Sequence, residues 1–198
     1  MKDSELELRT KVLDLLESTG LNWSVKKEAL VSLDGKKTDS FGLFRSDNGN
    51  HLSTVGKRYE IYQNHELAEA LIQATAEMGM TITRGGSLNG GGKVYLQAEL
   101  PSSYIGKSEM KRWMTGLGSH DTTHQTAFGS TDTVVICQNT FHMAYGDLAK
   151  FRHTSSAKEK ILKFIEGMKI ALGIEEKKLD TMKIMADVKI NEEIFNRL

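Results

Sequence analysis

The densest run of reactive side chains is Ser119-His120-Asp121-Thr122-Thr123-His124, two imidazoles and a carboxylate within six residues. On a helix, His120 and His124 would share a face and Asp121 could join them around a metal ion. The threonine and glycine content around this run argues against a helix, so a polar surface loop is expected, with a metal-dependent nuclease as the alternative. Cys137 is the only cysteine and follows Val134-Val135-Ile136. It reads as a small hydrophobe at the end of a buried strand rather than a nucleophile served by His142 or His153. Gly85-Gly86-Ser87-Leu88-Asn89-Gly90-Gly91-Gly92 would offer backbone N–H groups to an anion. A P-loop continues through Lys-Ser/Thr into a helix, whereas Gly92-Lys93-Val94 continues into a strand, so a flexible hairpin tip is expected.

A second pattern suits binding rather than reaction. Lys57-Arg58-Tyr59 and Tyr62-Gln63-Asn64 combine cations, rings and amides along an expected strand and its exit. Strand alternation puts Lys57 and Tyr59 on one face and Arg58 on the other. Charge beside a stacking ring is what sequence-tolerant single-strand binding uses. Arg152-His153-Thr154, followed by Lys158 and Lys160, offers charge and hydroxyls for phosphate contacts. The chain as a whole carries 26 Lys and Arg against 26 Asp and Glu, so its net field steers nothing. The distribution is uneven. Residues 84–112 hold five cations against two acids, and residues 150–163 five against one. Such a basic face acts over roughly a Debye length, about 8–10 Å in physiological salt.

The elements that must position these groups follow from periodicity. Ser4 and Glu7 form a capping-box pattern ahead of Leu8, Val12, Leu15 and Leu16 at helical spacing, with Gly20 as the stop. A strand within residues 22–33, a turn at Asp34-Gly35, a partner strand over 41–45, a turn over 47–50 and a third strand over 52–62 with a bulge at Gly56 come next. Asn64 is expected to cap a helix carrying Leu67, Leu71, Ala74 and Met78, closed by Gly79. A short strand over 80–84, the glycine loop and a strand over 93–100 ending at Pro101 complete the central part. Residues 102–130 read as polar and irregular, 134–137 as an apolar strand, and 157–172 and 174–189 as helices whose methionines (Met168, Met182, Met185) pack inward. The fold class is therefore α+β: an antiparallel sheet with a strand–strand–strand–helix core packed by helices, plus C-terminal helices. The expected organisation is a helix over 1–20, a core over 21–156 and a helical segment over 157–198.

At 198 residues, 39% hydrophobic and 26% charged, the composition is that of a globular protein. A lone cysteine excludes an internal disulfide and suits a reducing compartment. The first ten residues, MKDSELELRT, lack an apolar core, and no apolar run approaches the roughly 18–20 residues that cross a bilayer. A cytoplasmic protein without a membrane partner is expected.

The chain resembles the phage- and plasmid-encoded proteins grouped as domain of unknown function 932. The resemblance rests on Gly20-Leu21-Asn22-Trp23-Ser24-Val25, Tyr59-x-x-Tyr62-Gln63-Asn64, a glycine-rich hairpin before Lys93-Val94-Tyr95-Leu96, and His120-Asp121. Val135-Ile136-Cys137-Gln138-Asn139-Thr140 and Arg152-His153-Thr154 complete it, over roughly residues 20–170. After His-Asp the family tends to have glycine and serine, where this chain has Thr122 and Thr123. The strand–strand–strand–helix core is similar to that of Rad-fifty-two-type single-strand annealing proteins, which include the Erf class of phages. That similarity implies a homo-oligomer, in ring form, that binds single-stranded DNA in the host cytoplasm and anneals it without ATP, cofactor or covalent chemistry. The residues expected to hold DNA are Lys57, Arg58, Tyr59, Tyr62, Arg84, Lys93, Lys111, Arg112, Arg152 and His153. A protein that docks on a host factor through its methionine-rich helices is a further alternative.

Overall fold

The computed structural model describes residues 2–76, 80–101, 103–105, 108–168, 181 and 184. Helix α1 (Lys2–Ser18) begins ahead of Ser4, which therefore lies inside the helix rather than capping it. Its end is a left-handed Gly20 (φ 67°), with Leu21 N–H donating to Leu16 O (2.8 Å) and Gly20 N–H to Glu17 O (3.2 Å). Only glycine adopts that conformation without a Cβ penalty, so the chain reverses there. Strands β1 (Val25–Val31), β2 (Lys37–Arg45) and β3 (His51–Gly56) form an antiparallel meander. Its β1–β2 hairpin outgrows the sheet: β3 pairs only with Ser40–Phe44, and Val31 and Leu33 near the tip are exposed.

The connection after β3 is a turn and an irregular segment, not the continuing strand expected over 52–62. Gly56 ends the strand, and the irregularities in pairing fall at Ala29/Val31 and Leu43/Phe44 instead. Helix α2 (Asn64–Ala76) follows, so the strand–strand–strand–helix order is present. The cap is Gln63, whose N–H donates to Glu66 Oε2 at 2.9 Å, while the Asn64 side chain turns inward. Residues 77–79, with the expected stop at Gly79, lie outside the described residues.

The second sheet has five antiparallel strands in the order β10-β9-β8-β5-β4: β4 (Ile82–Leu88), β5 (Lys93–Glu99), β8 (Trp113–Ser119), β9 (Thr126–Thr131) and β10 (Ala149–Phe151). A small hairpin of β6 (Ser103–Ile105) and β7 (Ser108–Met110) is inserted between β5 and β8. Two central strands thus lie in the stretch that sequence reads as irregular. Met-Thr-Gly-Leu-Gly-Ser and Thr-Ala-Phe-Gly-Ser-Thr lack the β-branched apolar run that marks a buried strand. Their glycines have a packing reason. A Cβ on Gly118 would sit 2.7 Å from Val94 Cγ2, and one on Gly116 2.9 Å from Phe128 Cε1 and 3.3 Å from Leu67.

Alternation along β5 and β8 gives the sheet two different faces. Val94, Leu96, Ala98, Met114 and Phe128 join Leu67 and Leu71 of α2, Val12 and Leu16 of α1, and Ile161, Ile165 and Met168 in one apolar core. The last three belong to α4 (157–168), so the first and last described helices pack on the same core. The other face carries Lys93, Gln97, Thr115 and Ser119, all buried, beneath a smaller cluster of Leu117, Val135, Phe141 and Leu148. Helix α3 (Gln138–Asp147) covers this face beside β9. Residues 132–137 are not a strand. Val135 is buried, Ile136 is 63% exposed, and Cys137 is the exposed N-cap of α3. These four apolar-looking residues lead into the start of a helix that the sequence reading missed. The expected helix over 174–189 lies mostly outside the described residues. No helix among the described residues is long and apolar enough to cross a membrane.

Candidate functional site

The buried polar row of the sheet ends at one edge in a charged knot. Lys93 opens β5 opposite Ser119, the last residue of β8, and its ammonium meets Asp121 Oδ2 at 2.7 Å. The Lys93 side chain is 3% exposed, so the Gly92-Lys93 cation expected at the surface sits inside. A buried ammonium needs a counter-charge, and Asp121 supplies it. Asp121 Oδ1 accepts from Ser119 Oγ (2.6 Å), Thr123 Oγ1 (2.7 Å) and Thr123 N–H (3.2 Å). Burial pushes this carboxyl up, but the hydrogen bonds from Lys93, Ser119 and Thr123 outweigh it and hold it at about 2. Thr122 adopts the left-handed region (φ 61°) to turn the loop and bonds Ser53 of β3 at 2.8 Å.

The two histidines of this loop part company. His120 points into the core, where its Nε2 meets Asn64 Oδ1 at 2.8 Å and its ring edge meets Trp23. Burial, aided by the charge of His153 and opposed by Asp121, lowers it to about 4, so it is neutral. Asn64 Nδ2 in turn donates to Leu21 O (3.1 Å) and Trp23 O (2.9 Å), and Gln63 exchanges two hydrogen bonds with the Val25 backbone. The Leu21-Asn22-Trp23, Gln63-Asn64 and His120-Asp121 motifs are therefore parts of one network joining β1, α2 and the β8–β9 loop. His124 points the other way, toward α3, with Nε2 3.0 Å from His142 Nδ1. His120, Asp121 and His124 do not converge, which removes the ligand set expected for a nuclease. No group of three metal-binding side chains exists among the described residues.

The glycine stretch is half strand: Gly85 and Gly86 lie in β4, and Asn89–Gly91 form a single 3-10 turn that Gly92 closes. Arg45 covers that turn, donating to Gly90 O (3.0 Å), pairing with Asp47 (2.7 Å) and stacking 4.1 Å from the Trp23 ring centroid. Asn89 Nδ2 approaches Gln138 Oε1 (3.4 Å), so the α3 entrance abuts the turn. The Cys137 thiol is exposed, contrary to the buried reading, and hydrogen bonding with Thr140 lowers its pKa.

The residues expected to hold DNA divide into three groups. Lys57, Arg58 and Arg152 are exposed, and their side chains make no ion pair or hydrogen bond among the described residues. They flank a ring pair: Tyr59 stacks on His153 (centroids 5.0 Å, 14° between planes) and bonds its Nδ1 at 3.0 Å. Glu60 N–H meets His153 O, which ties the two segments together. Burial lowers the His153 pKa and raises that of Tyr59. A second group precedes or faces the opposite end of the sheet. Arg84 lies 5.7 Å from the Trp113 ring centroid, Lys111 lies 3.5 Å from Glu99, and Arg112 is half-buried with an interaction of its own. The third group is internal: Lys93, and Tyr62, whose ring packs edge-on to Phe128 and whose hydroxyl donates to Glu66 O. Neither is placed to meet a ligand, because both serve the core.

A model of the family described as Domain of unknown function (DUF932) matches residues 51–198. The chain belongs to this family. The matched stretch starts at the first residue of β3, so α1, β1 and β2 precede it, while the charged knot, the ring pair and α3 all fall within DUF932. No curated protein and no solved structure matches the chain.

Proposed function

We propose that this DUF932 protein binds single-stranded DNA and promotes its annealing without ATP, as a phage-type recombination protein acting as a homo-oligomer. The observation that carries this reading is the group of exposed cations, Lys57, Arg58 and Arg152, whose side chains have no ion pair or hydrogen bond among the described residues and which flank the Tyr59–His153 stack at the junction of β3 and α2. Of the other cations expected at the DNA surface, Lys93 is buried against Asp121, Lys111 is paired with Glu99, Arg84 lies over Trp113 and Arg112 has an interaction of its own, which leaves these three as the unpaired members of that set among the described residues. Guanidinium and ammonium groups in water attract phosphates without reading sequence, and a ring beside them gives a base a surface to stack on. The strand–strand–strand–helix order supports the reading by analogy with annealing proteins, which is an argument from fold alone. One subunit supplies few cations, so repetition of the junction around an oligomer would lengthen the groove.

The test is fluorescence anisotropy of a labelled mixed-sequence oligonucleotide, single-stranded and duplex, across a salt series. Affinity should fall with salt, with a log–log slope of about −0.7 per phosphate neutralised on a single strand. The Lys57→Ala/Arg58→Ala/Arg152→Ala variant should weaken binding at every salt concentration and flatten that slope by about two units. Binding that ignores salt, or a triple variant that binds as the parent does, refutes the proposal. An annealing-rate assay on the same proteins then separates simple binding from strand pairing.

A further inference from the structure

We propose that His124 and His142 form a two-histidine chelate for a borderline divalent transition-metal ion of the zinc, nickel or copper(II) class. This does not depend on DNA binding. It rests on the facing ring nitrogens and on the group that holds one of them. His124 Nε2 and His142 Nδ1 are 3.0 Å apart, with ring centroids at 4.8 Å. Metal–imidazole bonds of about 2.0–2.1 Å put two nitrogens of one ion about 2.9 Å apart at a right angle and about 3.4 Å apart at a tetrahedral angle. The observed separation lies within that span.

The direction of the lone pairs follows from the hydrogen-bond chain. Asp121 is ionised and accepts only, so the Thr123 hydroxyl proton points to it across 2.7 Å. The Thr123 oxygen, 2.8 Å from His124 Nδ1, must then accept, which places the His124 proton on Nδ1 and leaves Nε2 bare. Metal-binding histidines are oriented in the same way, with the non-ligating N–H held by a carboxylate-linked acceptor that fixes the tautomer and raises basicity. Phe141 and Tyr145 meet the His124 ring edge-on and wall it in, at 5.7 and 4.7 Å between centroids. The Tyr145 hydroxyl accepts from Gln125 N–H and fixes that wall.

His142 is exposed and closes the pair from α3. Without metal, its Nδ1–H donates to His124 Nε2. On chelation the ion takes the place of that shared proton, and neutral His142 carries its proton on Nε2 toward solvent. No proton is gained or lost overall. Waters would complete the coordination. Lys93 does not repel the ion as a bare charge, because Asp121 neutralises it. Two imidazoles without a free carboxylate suit zinc, nickel or copper(II) and not magnesium or calcium.

The experiment is calorimetric titration of the full chain, freed of any histidine tag, with Zn²⁺ and Ni²⁺, supported by Co²⁺ absorption. Saturable one-to-one uptake is expected, abolished by His142→Ala and by His124→Ala and unchanged in His51→Ala and His65→Ala. Thr123→Val, which removes the acceptor behind Nδ1, should weaken uptake by roughly 10-fold or more. His142 is a surface residue, so its variant keeps the fold and can be checked by its unfolding curve. No saturable uptake, or uptake that survives His142→Ala, overturns the proposal, as does uptake lost only with His51 or His65.

Discussion

The two faces of the five-stranded sheet are built on opposite rules. Toward α2, Val94, Leu96, Met114 and Phe128 meet leucines, and nothing in the contact needs a particular partner. Toward α3, Lys93, Gln97, Thr115 and Ser119 are as thoroughly buried, yet each is tied to a named acceptor or donor. Gln97 alone donates to Thr115 Oγ1 (2.9 Å) and Thr133 O (3.0 Å) and accepts from Val135 N–H (2.8 Å). The difference teaches where tolerance lies. An apolar face accepts any residue of similar volume, whereas a polar face fails when a single partner is removed.

The largest effect should come from the polar face. Asp121→Ala leaves the Lys93 ammonium buried without a counter-charge and should cost about 3–5 kcal/mol in urea unfolding. Lys93→Met combined with Asp121→Asn should lie closer to the parent than Asp121→Ala does. If it does not, charge pairing is not what distinguishes the face. Acid should strike next. His120 is held neutral at about 4, while the unfolded chain takes up a proton near pH 6.5. The unfolded state therefore binds more protons across that interval, and stability falls as pH drops through it, by up to about 3 kcal/mol from this group. Burial lowers the His153 pKa too, so its contribution has the same sign. Urea midpoints at about pH 7 and about pH 4.5 measure the loss, and an unchanged midpoint would contradict the burial of His120.

On the apolar face, Gly118→Ala brings a methyl to 2.7 Å from Val94 Cγ2 and should cost about 1–3 kcal/mol through overpacking. A Val94→Ala background should relieve it. Smallest of all, Lys57→Ala and Arg58→Ala should change stability by no more than about 0.5 kcal/mol, since these exposed side chains make no ion pair or hydrogen bond among the described residues. That silence in unfolding, set beside a change in DNA binding, is what marks a surface kept for a ligand.

The sequence disclosed the parts whose periodicity reflects an apolar face. α1, the β1–β3 meander, α2, β5 and the start of α4 fall near their expected positions because leucine, valine and isoleucine repeat at 3.6 or 2 residues. β8 and β9 were illegible because glycine and threonine fill them, chosen by Leu67 and Phe128 across the sheet, which no local pattern records. α3 was missed for a related reason: its inward face is only Phe141 and Ala144. The cations show the same limit. Lys93 and Lys57 look alike in sequence, and only the arrival of Asp121 beside one of them decides which is free. The signal that could have separated them is position: Lys93 opens an otherwise apolar strand, where an unpaired charge could not stay.

The overhanging β1–β2 hairpin leads to a last consequence. From Val31 to Asp39 it is two-stranded, its tip joined by Ser32 N–H to Lys36 O at 2.8 Å and by the short Ser32–Asp34 contact. A two-stranded ribbon in water is only marginally stable, so this arm should open on its own long before the sheets do. Its amides should exchange with deuterium early. Trypsin should first cut after Lys36 or Lys37 and leave the rest of the chain folded around the cut.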